Sequence, residues 1–243
     1  MSLERLRALG FPERDAQILW EHFDDAERRG KLSHGHARIA WLESLEDLDP
    51  GARPELVEST SGFERWHGRG ALGYLTLAAV CDSQLASPPE HARVVVAAQC
   101  FPTGHLGYWA RRLARGGLVA ALTATSPARL APPGLPAPKL AGTNPLAIAI
   151  PSSDGRPLVA DISPAKATWG DVIAGRAGEE DVVPFGGEQA HKAFALALGL
   201  QLLVDALVSD PGHGAVLVVA RPAADPVPAL REIARGIRLP GDS

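Results

Sequence analysis

Apolar positions along the chain change their spacing several times, and each change marks an element. From Pro12 onward, Ala16, Leu19, Trp20, Phe23 and Ala26 keep one face apolar, and Gly30 supplies a stop after Arg28 and Arg29, which predicts an amphipathic helix. Leu32-Ser33 offers a fresh N-cap, and Ile39, Trp41 and Leu42 predict a second, shorter helix carrying Ser33-His34-Gly35-His36-Ala37-Arg38. Residues 1–49 are therefore expected to form a small helical unit and 50–243 a mixed α/β domain. After a loop from Pro50 to Pro54 comes an expected helix over about 69–86, and Arg93-Val94-Val95-Val96-Ala97-Ala98 then reads as a buried strand. A helix over 106–115 is closed by Gly116-Gly117, and strands at 118–125 and 146–150 flank a proline-rich connection, 126–138, that can be neither regular helix nor central strand. A short strand, 157–161, ends in a carboxylate and leads to a Gly/Glu-rich surface loop. A long helix over about 189–208, a strand at 214–220 and a helix at 226–237 complete the chain. Strands alternating with helices imply an α/β core with both sheet faces covered.

Composition narrows the class. With 243 residues, 46% of them hydrophobic, the chain can bury a large core. A formal net charge of −4 supplies no positive field for nucleic acid or an anionic membrane, so the expected partner is a small molecule. The apolar segment 193–208 is broken by Gln201 and Asp205 and reads as too short to span a bilayer comfortably, which predicts a buried helix. Met1-Ser2-Leu3-Glu4-Arg5 lacks the apolar stretch of a secretory signal. Cys81 and Cys100 sit in no metal-type or redox spacing, which fits a reducing cytoplasm and no metal centre.

Several constellations carry chemistry. Gly68-Arg69-Gly70-Ala71-Leu72-Gly73 is a literal GxGxxG, but Ser61 to His67 before it do not read as the hydrophobic strand that a dinucleotide fingerprint requires. The expectation is a glycine-rich lead-in to a helix. On a helix, His34 and Arg38 would stand four residues apart on one face, an acid/base beside a carboxylate clamp. Imidazole offers a proton donor with a pKa near neutrality; a polar helix face explains the same residues. Asp161 could orient an imidazole or cap a helix. Gly186-Gly187 before His191 and Lys192 could leave amides and a cation for a phosphate, or simply form a turn. His67, His91, His105 and His213 are scattered without ligand spacing, and no GxSxG elbow is present.

Leu32-Ser33-His34-Gly35-His36-Ala37-Arg38 resembles the DSHGxxR segment of the malate/L-lactate dehydrogenase family, the non-Rossmann NAD(P)H oxidoreductases. Thr125-Ser126-Pro127 with Ala131-Pro132-Pro133-Gly134 is similar to its TNxSPxxAPxGG loop, and the stretch from Gly142 to Pro151, GTNPLAIAIP, matches its most recognisable run. Asp154 to Asp161, His191-Lys192 and Arg238 to Asp242 follow in the family's order. The resemblance implies a mixed-sheet nicotinamide-binding fold, usually a homodimer, that binds NADPH or NADH and reduces a 2-oxo acid or a cyclic imino acid. By that resemblance His34 is the proton donor, Asp161 its partner, Ser33 a supporting hydroxyl and Arg38 the carboxylate clamp. Thr143 would line the substrate site, and Ser163, Gly186, His191 and Lys192 would lie along the cofactor.

The chain also departs from that pattern. Leu32 replaces the Asp before SHG, Ala124 replaces an Asn, Pro164-Ala165 stand in place of Thr-Ser, and Pro102 takes the histidine position of NSNHFG. Glu188-Gln189-Ala190 are inserted before His191. Two alternatives therefore stay open: a trimmed relative using the same acid/base pair for isomerisation, elimination or cyclisation, and a non-catalytic partner subunit.

Overall fold

The computed structural model describes residues 3–242, so Met1, Ser2 and Ser243 at the ends of the two expected units lie outside it. Helices α1 (Leu3–Ala8), α2 (Glu13–Arg28) and α3 (Ala37–Glu43) come first, and α2 buries the apolar stripe that its spacing predicts, Ala16, Leu19, Phe23 and Ala26. Strands β1 (Glu55–Ser59) and β2 (Phe63–His67) follow, then α4 (Gly73–Ala86), β3 (Ala92–Ala98), α5 (Leu106–Arg115), β4 (Val119–Ala124), β5 (Leu146–Ile150) and β6 (Leu158–Ile162). Short helix α6 (Trp169–Ile173), long helix α7 (Ala190–Val208), strand β7 (Ala215–Ala220) and α8 (Val227–Ile233) complete the order.

The strands form one seven-stranded sheet in the order β1-β2-β3-β7-β4-β5-β6. Only β2 and β3 pair in parallel, joined through α4; the other neighbours are antiparallel. One face carries the main core. Val95, Ala120, Leu122, Ala147, Ala149, Leu217 and Val219 meet Leu77, Trp109 and Leu113, and Leu6, Leu19, Phe23, Ile39 and Leu42 of the N-terminal helices join the same cluster. Small residues on β4 and β5 let α5 lie close to the sheet, which brings its first turn against β6.

The other face differs from the expectation of full cover. Val204 and Val208 of α7 pack on Val96, Ala98 and Val216, but Ile148, Val218 and Ile162 on the same face remain 39%, 43% and 51% exposed. The long apolar helix is likewise not a buried one. It buries a single stripe, Ala190, Ala193, Ala197, Leu200, Val204 and Val208, while Leu202 and Leu203 are 58% and 45% exposed. The stretch Gly187–Val208, with mean hydropathy 1.5, is long and apolar enough to cross a bilayer by length and composition, which corrects the shorter estimate; its buried stripe is packed on the sheet. Over the N-terminal half of α7, Leu130 of the proline-rich connection and Ala141 just after it meet Ala165, Val182 and Ala197 in a satellite cluster.

Candidate active site

A cavity of about 520 Å³ opens where the segment after α2, the first turn of α5, the end of β6 and α6 converge, and Ser33, His34, Arg38, Thr143, Asp161 and Ser163 all line it. Lys31, Tyr74, Arg129 and Trp169, none of them singled out in the sequence, line it too, as does His105, which the sequence reading set aside as a scattered histidine.

His34 and Arg38 reach this cavity by a route other than one helix. Leu32–His34 form a single 3-10 turn, Gly35 breaks it with ψ −151, and α3 begins only at Ala37. The physical reason is Glu27: its Oε2 accepts from the backbone N–H of His36 at 3.0 Å, and a Cβ at Gly35 would lie 1.8 Å from that oxygen. A carboxylate from α2 thus caps α3 and ends the preceding turn. Arg38 folds back, its Nε donating to Ser33 O at 2.8 Å, with its guanidinium carbon 5.4 Å from the Trp41 ring centroid. Gly170 at the start of α6 admits the close approach, since a Cβ there would stand 2.5 Å from Arg38 Nη2. Thr168 and Asp171 close the N-terminus of α6 with a reciprocal capping box, a signal present in the sequence as Thr-x-x-Asp.

His34 Nδ1 is buried without a hydrogen-bond partner. Desolvation first, then Arg38 and Lys31, push the imidazole from 6.5 down to about 3, against a smaller upward pull from Asp171. It is therefore uncharged at neutral pH, below the ordinary range assumed from the sequence.

Asp161, 12% exposed at its side chain, pairs with Lys31 Nζ. Its Oδ2 lies 3.9 Å from His105 Nδ1, and among the described residues no hydrogen bond or ion pair joins it to His34. Gly107 brings the N-terminal turn of α5 against this carboxylate, since a Cβ there would be 2.8 Å from Oδ2. The orienting aspartate of the sequence reading thus meets a lysine and a different histidine.

The loop that carries Thr143 is held by a buried polar network. Asn144, fully buried, donates through Nδ2 to Ala197 O and Gln201 Oε1, both at 3.0 Å, and accepts from Ser126 N at 3.2 Å. The Thr143 N–H donates to Ser126 Oγ at 3.2 Å, and Ser163 Oγ donates to Thr143 O at 3.2 Å. The GTNP run is thus the clasp between the proline-rich connection and α7.

The expected cofactor residues do not all gather here. Gly186, with φ 107, lines a neighbouring cavity of about 800 Å³ with Arg129, Lys139 and Lys166. His191 and Lys192 are exposed on the first turn of α7 and line neither cavity. Arg129 borders both cavities, its guanidinium carbon 3.3 Å from the Trp169 ring centroid.

The GxGxxG segment also needs correction. A strand, β2, does precede it, and β2-α4-β3 is a parallel crossover. The glycines serve close packing: a Cβ on Gly68 would stand 2.2 Å from Gln99 O, and one on Gly73 would stand 2.7 Å from Phe101 N. The backbone of residues 99–102 packs directly on these two glycines.

The family model of malate/L-lactate dehydrogenase matches residues 1–182. A (2R)-3-sulfolactate dehydrogenase (NADP(+)) from Chromohalobacter salexigens is 34% identical over 186 residues, 74% of this chain and 55% of the relative. A Delta(1)-pyrroline-2-carboxylate/Delta(1)-piperideine-2-carboxylate reductase from Pseudomonas putida is 29% identical over 234 residues, 84% of this chain and 67% of the relative. The chain thus spans between about half and two thirds of the length of these curated relatives. Among solved structures, a delta1-piperideine-2-carboxylate reductase from Pseudomonas syringae superposes with a TM-score of 0.81 at 23% identity, covering 99% of this chain and 88% of that one. A dehydrogenase from Sinorhizobium meliloti gives 0.84 at 23% identity, covering 99% and 86%. The overall fold is shared with these structures, and with three quarters of its length matched by the family model, this chain belongs to the malate/L-lactate dehydrogenase family.

Proposed function

We propose that the chain is an NAD(P)H-dependent reductase of a small 2-oxo acid or cyclic imino acid. The observation that carries this reading is the convergence of His34, Arg38, Thr143, Asp161 and Ser163 from separate segments on one cavity. The relatives whose names specify NADP(+) or a cyclic imino acid support the same class.

Arg38 is the carboxylate clamp: its Nη2 faces α6 while its Nε is held by Ser33 O, so the guanidinium is presented in a fixed plane. His34 donates a proton to the carbonyl oxygen or imine nitrogen of the substrate. A carboxylate seated on Arg38 offsets one of the cations that hold the imidazole down and so raises His34 on binding, while desolvation, the larger cause, still opposes its protonation. Lys31 compensates the negative charge of Asp161.

The donor set suits a nicotinamide dinucleotide. Arg129 links the two cavities; the second one is lined by Lys139, Lys166 and the Gly186-Gly187 turn together with Glu179 and Glu180, and Lys166 is paired with Asp181 at 2.8 Å, so Arg129 and Lys139 are the cations that would meet phosphates there. When bound, the nicotinamide supplies the hydride that the protein's own groups lack. Ser163, tied to Thr143 O, and Gly186 would border it, whereas exposed His191 and Lys192 line neither cavity.

Fluorescence titration should show binding of NADPH or NADH, and His34→Ala should abolish turnover of a cyclic imino acid or 2-oxo acid while leaving the thermal midpoint intact. Absence of binding by both cofactors at millimolar concentration would end the redox reading in favour of a non-redox reaction or a partner subunit.

A further inference from the structure

His105 is the N-cap residue of α5, and only 1% of its side chain is exposed. Both of its ring nitrogens lack a hydrogen-bond partner. Two carboxylates flank the ring. Asp25 Oδ2 is 3.5 Å from Nε2 and Asp161 Oδ2 is 3.9 Å from Nδ1, and each has been drawn towards cations. Asp25 is held by Arg29 at 3.0 Å and Arg111 at 3.1 Å, and Asp161 by Lys31. The other groups around the ring are His22 of α2, whose Nε2 accepts from the His105 backbone N–H at 3.2 Å, and His34, with its ring centroid 6.2 Å away. On its own helix, Tyr108 and Arg111 complete the set.

An imidazole with two bare nitrogens in so dry a place is costly unless its N–H finds an acceptor. Burial, with His22, His34, Lys31 and Arg111 around it, holds the group well below its usual range, so the ring is uncharged. A neutral ring has one N–H and one lone pair and can donate to only one carboxylate at a time.

We propose that His105 is a positioning residue for Asp161, its single N–H directed to Asp25 while Lys31 compensates Asp161 and to Asp161 once Lys31 is drawn to an anion in the cavity. Asp25 keeps its two arginines in both states, so once Lys31 moves away Asp161 is the carboxylate left short of a donor. The ring loses a proton at Nε2 and gains one at Nδ1 by exchange with water, so its charge does not change. The catalytic consequence rests on the reductase reading proposed above and on the role that the family resemblance implies for Asp161; the tautomer shift does not.

Full-length protein labelled with 15N-histidine tests the shift, with His105→Gln identifying the ring signals. The free protein should show the Nε2–H tautomer, Lys31→Met should move His105 towards Nδ1–H, and adding Asp161→Asn should reverse that move. Ring shifts of His105 that are unchanged in Lys31→Met would overturn the proposal. Kinetics supply a second reading, because an Asn amide overlays Nδ1 and a Gln amide overlays Nε2. His105→Asn should keep kcat within about threefold, whereas His105→Gln should lower it about tenfold, the size of one lost hydrogen bond, at unchanged KM and thermal midpoint. Equal losses in both variants would mean a packing role alone and would also overturn it. If the unmodified protein binds no nicotinamide cofactor, the redox reading fails and the 15N measurement still decides the matter of His105.

Discussion

His34, His22 and His105 share one physical condition: each is held below its ordinary range chiefly by desolvation, His34 to about 3. On unfolding they return to about 6.5, so below that pH the unfolded chain binds more protons than the folded one. The stability is fully present above 6.5 and is lost as pH falls towards the folded values, by up to about 1.4 kcal/mol per pH unit for each group. Urea unfolding at pH 7, 6 and 5 should therefore show a steep decline, and His34→Asn should flatten it by up to about that slope; an unaltered slope would show that His34 titrates normally. The residue types His34 and Arg38 were readable as acid/base and clamp, but the charge state was not. Desolvation and the nearness of Arg38 and Lys31 exist only after the turn at Gly35 has folded against Glu27.

Among elements, β2 shows why a strand can escape notice. Its inward positions alternate Glu64 and Trp66, and a charged residue at a core position reads as polar surface. Tertiary pairing removes the conflict. Glu64 Oε1 meets Arg93 Nη1 of β3 at 3.1 Å, and Oε2 accepts from Trp66 Nε1 at 3.0 Å and from Gln84 Nε2 of α4 at 2.7 Å. Arg93 in turn donates to Gln84 Oε1 at 2.8 Å. One buried network thus locks the crossover β2-α4-β3. Glu64→Ala should cost about 3–5 kcal/mol in chemical denaturation by leaving Arg93 buried and unpaired, and Glu64→Leu with Arg93→Met should restore most of the loss. A loss below about 1 kcal/mol for the single change would mean that Arg93 finds other partners. By contrast, α5 and β5 have the predicted bounds, because an unmixed apolar period over 106–115 and 146–150 needs no partner to be read.

For the whole molecule, the outer face of α7 and the uncovered part of the sheet are the largest departure from a self-contained fold. Ile148 and Val218 flank Ala121 in register on one face, and Leu196, Leu202, Leu203 and Leu207 of α7 are exposed as well. A second copy of the chain is the occupant proposed for this surface, consistent with the homodimer expected from the family resemblance. Light scattering should give a dimer, and Leu203→Glu should give a monomer with an unchanged thermal midpoint, since that side chain leaves the internal core untouched. A native monomer at micromolar concentration would remove this proposal.

The sequence alone determined the family, through ordered local motifs such as GTNPLAIAIP, and the elements whose apolar period is self-consistent, because those signals are written in neighbouring residues. Only the tertiary structure decided that Lys31 and His105 share the site with His34, that Asp161 meets them first, and that His191 and Lys192 stand apart. Those relations join α2, α5, β6 and α7 across large separations in the chain, and burial and charge are properties of that assembled environment.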